Sequence, residues 1–237
     1  MNKNALKYLI LVSAFFAIAA DFFEYKPLFY FLKPLTTSLI ILLAFRFRSA
    51  SRSNYSNSIG IGLFFCLIGD VFLLFPNFFV FGLGSFLIGH LLFIRAFVKE
   101  VGWQLPYTVG IPLLLVGCLL FGFTHSNLER LLIPVVFYMA IIVLMSWQGI
   151  ALSIKSTQIA FKRIGIAVSF FLLSDALIAL DKFYIPFAFS GIVVLSTYWI
   201  AIFLLADSTD FRIIDLYSHR SRHPRNTCPY CWAFATS

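Results

Sequence analysis

Apolar residues of this chain fall into eight long runs that are separated by short polar segments. Most runs approach the length of about 20 residues that a helix needs to cross a bilayer core. They are Leu6–Ala20, Leu28–Phe45, Ile59–Phe75, Phe78–Val98, Pro106–Phe123, Leu131–Ile150, Ile164–Leu180 and Ile185–Ala206. The pattern predicts an all-α polytopic membrane protein, a bundle of about eight transmembrane helices over residues 1–206, followed by a polar cytoplasmic tail over residues 207–237.

Composition supports a membrane protein over a soluble one. The chain is 61% hydrophobic and 12% charged, whereas a soluble domain averages about 45–50% apolar and 25% charged residues. The first run ends at Asp21-Phe22-Phe23-Glu24 rather than at a small-residue cleavage site. We therefore interpret it as a retained span and not as a signal peptide.

The net charge of +8 does not indicate a nucleic-acid partner, because the basic residues lie between the apolar runs. Fourteen of the eighteen Lys and Arg residues flank one side of the predicted bundle, and Lys26, Arg130 and Lys182 flank the other. By the positive-inside rule, both termini are predicted to be cytoplasmic. The membrane would be the plasma membrane in a bacterium and otherwise the endoplasmic reticulum.

Two segments of the chain resemble each other at an offset of 105 residues. GDVFLLFPNFFVFGLGS, from Gly69, aligns without gaps with SDALIALDKFYIPFAFS, from Ser174. The offset matches Asp70 to Asp175 and Lys33 to Tyr138. Four helices separate equivalent positions, so the halves would be two parallel four-helix repeats. Chance similarity is the alternative, because any two apolar hairpins share composition.

Asp70 and Asp175 are carboxylates inside predicted spans, where a charge costs at least about 2.5–3.5 kcal/mol and usually has a function. Each lies about six residues, or roughly 9 Å, from the end of its span on the predicted non-cytoplasmic side. Lys33 lies at a similar depth. Two nearby carboxylates tend to share a proton, as an acid and base pair requires. The alternatives are a structural ion pair and a Lys33 side chain that reaches towards the membrane surface.

Four other polar residues of the spans are weaker candidates. His90 lies closer to the cytoplasmic side by the same count, so a role in packing or hydrogen bonding is slightly favoured over catalysis. Ser190, Thr197 and Tyr198 are ordinary groups for interhelical hydrogen bonds, and they could also hold a lipid head group.

Motifs for metals, cofactors and nucleophilic serine are missing from the sequence. The spans have no HExxH motif and no paired His or Cys ligands. Neither a GxSxG elbow nor a phosphate-binding glycine loop occurs. Cys228 and Cys231 form a CPYC, which we interpret as an incidental pair, because a redox motif needs a βαβ context.

Several stretches together resemble the lysoplasmalogenase (YhhN-type) family. They are KPL from Lys33, GDVFLLF from Gly69, GSFLIGHLLFIRAF around His90, SDALIALDKF from Ser174 and the STYW that ends at Trp199. Each is short, but their order and spacing in an eight-span chain are specific. The sequence departs from the family at Trp199, where a second tyrosine is usual.

The resemblance implies hydrolysis of the vinyl ether of lysoplasmalogen. No metal or cofactor is expected, because no ligand set is visible in the spans. The resemblance also implies a lysophospholipid substrate, with Asp70 and Asp175 as catalytic residues. Lesser candidates for orienting the substrate are Lys33, His90, Ser190, Thr197 and Tyr198. One alternative is a small-molecule or lipid transporter, since parallel repeats with charges near the midplane also describe transporters. Another is a lipid-binding or scaffolding protein without turnover.

Overall fold

A computed structural model describes residues 2–210, and this part of the chain is almost entirely helical. Its eight long helices are α1 (Lys3–Phe22), α2 (Lys26–Arg46), α3 (Ser53–Phe72), α4 (Phe79–Val101), α5 (Tyr107–Thr124), α6 (Leu132–Lys155), α7 (Ile159–Phe183) and α8 (Ser190–Asp207). Each is long and apolar enough to cross a membrane. The predicted all-α architecture of eight spans is confirmed, and the chain is an integral multi-pass membrane protein. Residues 211–237 of the predicted tail, with Cys228 and Cys231, lie outside the described residues.

Several helix boundaries differ from the predicted spans, and at two of them a proline accounts for the difference. Helix α3 ends at Phe72 instead of Phe75, and Phe75 is extended in front of Pro76. Helix α8 begins at Ser190 instead of Ile185, because Pro186 disfavours a helical conformation at the residue before it. The Asp181 carboxylate accepts a hydrogen bond of 3.2 Å from the backbone of Phe187, which fixes this link between the last two helices.

Helix packing follows the same pattern in the two halves of the bundle. Consecutive helices pack from α1 to α4 and again from α5 to α8, and α8 packs on α2 as α4 packs on α6. These equivalent contacts agree with two parallel repeats of four helices. The first and last described residues lie at one end of the bundle, which we call the terminal end, where Lys3 contacts Asp210. We call the other end the distal end.

Helix α5 lies at the edge of the bundle. Only Gly110 and Thr124 are buried along its length, whereas α3, α6 and α8 bury about half of their residues against the core. Most side chains of α5 are apolar and exposed, as expected for a surface that contacts lipid. The main core cluster takes buried residues from every long helix except α5, and this arrangement leaves α5 as a side wall.

A buried ion-pair cluster joins three helices at the terminal end. The carboxylate of Asp207 lies 2.9 Å from Lys3 Nζ and 2.8 Å from Lys7 Nζ. Arg163 Nη1 donates to its second oxygen at 2.5 Å. Asp207 thereby connects α1, α7 and α8 and compensates three positive charges.

Replacing Asp207 by Asn should lower the free energy of unfolding by about 2 kcal/mol, the contribution of hydrogen bonds to charged groups. Lys3, Lys7 and Arg163 would lose the carboxylate that they share, although each of these side chains is partly exposed to water. Thermal unfolding of the detergent-solubilised protein measures the effect. Asp210→Asn is the matched control, because Asp210 also contacts one of these cations, Lys3. Equal melting temperatures for the two variants would contradict the role of Asp207.

Candidate active site

Asp70 lies near the distal end of α3, is 1% exposed and is surrounded by polar groups of α2 and α8. Thr37 Oγ1 donates to its Oδ2 at 2.6 Å, and the hydroxyl of Tyr198 donates to the same oxygen at 2.8 Å. Lys33 Nζ lies 3.7 Å from Oδ1. The predicted association of Lys33 with Asp70 is present, and Tyr198 belongs to the same group.

Trp199 belongs to the hydrogen-bond network around Asp70, although no sequence pattern predicted this position. Its indole Nε1 donates to Thr37 Oγ1 at 3.3 Å. Because an indole only donates, the Thr37 hydroxyl accepts from Trp199 and directs its own hydrogen to Asp70. Trp199, where the chain departs from the family pattern, is therefore connected to the candidate carboxylate of Asp70 through one hydrogen-bonded residue, Thr37.

Asp175 lies on α7 in a different environment. Its Oδ2 accepts a hydrogen bond of 2.5 Å from the hydroxyl of Tyr138 on α6, its single hydrogen-bond partner within residues 2–210. The contact is the counterpart of the Lys33–Asp70 pair at the 105-residue offset. Tyr138 was not predicted as a site residue, and the repeat alignment was the signal that could have identified it.

The same offset explains why Asp175 has fewer polar neighbours than Asp70. Thr37 corresponds to Ile142, and Tyr198 corresponds to Phe93. Apolar side chains thus occupy both positions that correspond to the donors around Asp70. The two aspartates are equivalent by position in the repeat, but they differ in chemistry.

An apolar cavity opens beside Asp175 between α4, α5, α6 and α7. Asp175 and Tyr138 provide its polar lining, and the remaining walls are hydrophobic side chains such as Phe86, Ile142 and Leu172. Its volume is about 60 Å³, room for a few water molecules at about 10–15 Å³ each. Asp70 does not line it.

Two grooves on the outer surface continue from this cavity along α5. Gly117, Met139 and Val143 line both the cavity and a groove between α5 and α6. Leu120 lines both the cavity and a groove between α5 and α7. The walls of these grooves are almost wholly apolar, so hydrocarbon can follow α5 from the bilayer to Asp175.

Ring contacts connect the surroundings of the two aspartates. The Phe171 ring centroid lies 5.7 Å from that of Tyr198 and 4.7 Å from that of His90. Cys66 of α3 is also buried. The two centres are thus neighbours without a direct hydrogen bond between them.

His90 lies closer to the candidate site than the span count suggested. It is 0% exposed, and its ring centroid lies 5.3 Å from that of Tyr138. Neither ring nitrogen has a hydrogen-bond partner within residues 2–210. His90 packs beside the tyrosine that contacts Asp175, which the interpretation from depth alone did not anticipate.

Ser190 and Thr197 contact neither aspartate. The Thr197 hydroxyl donates to the carbonyls of Val193 and Val194 in its own helix, at 2.7 and 3.0 Å. Ser190 is the first residue of α8. Neither residue lines the cavity beside Asp175.

Fold and site define a class: a helical membrane protein with two aspartates inside its spans, one of which lines an apolar cavity. The chain belongs to the YhhN family, whose sequence model matches residues 28–209. Its relatives include the lysoplasmalogenase TMEM86A of Bos taurus, 33% identical over 154 residues, which are 62% of each chain. The lysoplasmalogenase TMEM86B of Rattus norvegicus is 28% identical over 170 residues, which are 70% of this chain and 67% of the relative.

Coverage of these relatives is incomplete. The chain matches about six tenths of the length of the TMEM86A proteins of Bos taurus and Homo sapiens, 62% in both. A lysoplasmalogenase homolog of Dictyostelium discoideum is 34% identical over 113 residues, which are 36% of its length. No solved structure matches the chain.

Proposed function

We propose that this protein is a membrane hydrolase that cleaves the vinyl ether bond of lysoplasmalogen. The products are a fatty aldehyde and glycerophosphocholine or glycerophosphoethanolamine. The observation that carries the proposal is a carboxyl group, Asp175, that faces an apolar cavity with one tyrosine as its partner. The names of the relatives support the substrate class.

Asp175 is proposed as the group that exchanges protons with the substrate and water. Its carboxylic acid protonates the β-carbon of the vinyl ether, and an oxocarbenium ion forms. Water adds to the α-carbon and gives its proton to the Asp175 carboxylate, so a hemiacetal results and the acid is restored. The hemiacetal transfers its hydroxyl proton to the glycerol oxygen, and its C–O bond breaks to release the aldehyde.

Tyr138 is proposed to position Asp175 during these steps. Its hydroxyl donates to Oδ2, which directs the other carboxyl oxygen towards the substrate. The packing of His90 against the Tyr138 ring would hold that hydroxyl in place. This arrangement fits a group that donates a proton and later accepts one.

Asp70 is proposed as a fixed negative charge near the cationic intermediate. It is bonded to Thr37 and Tyr198 and paired with Lys33, so its oxygens are occupied. A carboxylate held in a water-poor region stabilises a nearby developing cation without reorganising. Lys33 and Tyr198 would then act on the reaction through Asp70, while the assignment of Ser190 and Thr197 to substrate orientation stays a prediction.

The positive-inside rule applied to the flanking Lys and Arg residues supports a cytoplasmic location for the terminal end of the bundle. Both aspartates would then lie in the half of the bundle nearer the non-cytoplasmic face. The membrane is proposed to be the plasma membrane in a bacterium and the endoplasmic reticulum otherwise.

Incubation of the purified protein with a 1-alkenyl lysophospholipid tests the proposal. We expect stoichiometric release of aldehyde and glycerophosphodiester. The saturated 1-alkyl analogue is the control, because it has no double bond to protonate and should stay intact. Absence of aldehyde from the alkenyl lipid, with the protein folded, would refute the proposed activity.

The alkenyl chain is proposed to leave the cavity past Gly117. A Cβ atom at Gly117 would lie 3.4 Å from Val143 Cγ2, so Gly117→Phe should fill this passage. We expect KM for a long-chain substrate to rise by roughly tenfold, because about two buried methylenes at about 0.8 kcal/mol each lose their contacts, and a short-chain substrate should be less affected. Gly122→Phe is the matched control, since Gly122 has open space around it. Equal effects of the two variants would contradict this path.

A further inference from the structure

Lys182 lies on the same face of α7 as Asp175, close to the mouth of the cavity. Residues 175, 179 and 182 are spaced by four and three positions, so they share one helix face. Lys182 Nζ lies 4.3 Å from the ring centroid of Phe79. Phe79 and Phe183 line the cavity and contact each other at 5.9 Å between their ring centroids. The ammonium group is therefore held above the aromatic rim of the cavity.

We propose that Lys182 binds the phosphate of the lysophospholipid while the vinyl ether lies beside Asp175. This inference rests on the proposed function and names the group that recognises the polar end of the substrate. Lys182 is a binding residue in this account and takes no part in proton transfer.

Distances along the substrate agree with the spacing of the two side chains. Lys182 lies seven residues beyond Asp175, a rise of about 10 Å along a helix. Five bonds separate the ether oxygen of the lipid from its phosphorus, an extended length of about 6 Å at ordinary bond lengths. An ammonium-to-phosphate hydrogen bond adds about 3 Å. A lysophospholipid can thus span both residues without distortion.

Small side chains leave room for the glycerol between these two residues. Ala176 and Ala179 line the cavity on α7 between Asp175 and Lys182. Larger residues there would obstruct the link between the apolar chain and the phosphate. The face of α7 thus presents, in order towards the distal end, a carboxyl group, a shallow apolar strip and a cation.

Charge and exposure also favour Lys182 as the ligand for phosphate. Its side chain is exposed, and it forms no ion pair with another residue of the described part, 2–210. Its cation–π contact with Phe79 orients the ammonium group without neutralising its charge. Lys26, also at the distal end, belongs to α2 and does not line the cavity.

Equilibrium binding of a 1-alkyl lysophospholipid, which resists hydrolysis, tests the inference in phospholipid-free detergent. Lys182→Gln should weaken binding about tenfold, the factor expected for the loss of one hydrogen bond to a charged group. Lys182→Arg should restore most of the affinity. An alkylglycerol without phosphate should bind the wild-type protein and Lys182→Gln equally, and Lys26→Gln should bind both lipids as the wild type does.

Unchanged affinity of Lys182→Gln for the alkyl lysophospholipid would overturn the inference. An equal loss for the alkylglycerol would overturn it as well, because the side chain would then support the cavity and not the phosphate. These outcomes are separate from the proposed reaction. Wild-type protein that binds the alkyl lipid but releases no aldehyde from the alkenyl lipid would refute the hydrolase alone.

Discussion

Replacing Asp175 by Asn should reduce aldehyde release by at least about a hundredfold, because general acid–base catalysis contributes about 10²–10⁴ to such reactions. An amide preserves the shape of the side chain and can still interact with Tyr138, but it cannot give a proton to carbon. The initial rate with a 1-alkenyl lysophospholipid measures the effect. Affinity for the 1-alkyl analogue should stay close to that of the wild type.

Glu129→Gln is the matched control for this loss, since it also changes a carboxylate to an amide at the distal end. Glu129 is exposed, lies between α5 and α6, and does not line the cavity. Its variant should retain full activity. Near-normal turnover by Asp175→Asn would remove Asp175 from the proposed mechanism.

Replacing Lys33 by Met should lower the free energy of unfolding by about 3–5 kcal/mol, the usual cost of leaving one member of a buried pair without its partner. Asp70 would stay buried with two neutral donors and no counter-charge. The double variant with Asp70→Asn should recover much of this loss, because both charges are then absent. Melting temperatures of the single and double variants in detergent measure the coupling.

Lys182→Met removes the same charge from an exposed position and should leave the melting temperature nearly unchanged. Additive effects of the Lys33 and Asp70 substitutions would contradict an energetically coupled pair. Aldehyde release by the double variant should remain low even if its stability recovers, since the fixed negative charge of Asp70 is lost.

Sequence patterns predicted the fold well, because each span must place about 20 apolar residues in lipid. The errors lay at helix ends, where local backbone chemistry decides. Pro76 and Pro186 begin or interrupt segments that are as apolar as the spans around them. At these positions, hydropathy alone could not distinguish a helix from the segment that connects two helices.

Candidate site residues were predictable where burial of a charge is costly. Asp70, Asp175 and Lys33 stood out in apolar runs for this reason. Thr37 and Tyr138 did not, because a neutral hydroxyl is common in membrane helices and its role depends on which helix it faces. The sequence shows that Thr37 in one half corresponds to Ile142 in the other. Only the hydrogen bond between Thr37 and Asp70 in the structure shows why this difference affects the site.

Hydrolysis in deuterated water tests the central claim most directly. If an acid protonates the β-carbon, each aldehyde released from a 1-alkenyl lysophospholipid should carry one deuterium on the carbon next to its carbonyl. Immediate trapping of the aldehyde as an oxime prevents later exchange at that carbon. We predict one deuterium per aldehyde from the wild-type protein and little aldehyde from Asp175→Asn. Aldehyde without deuterium at that carbon, or no aldehyde from the folded wild-type protein, would contradict the account.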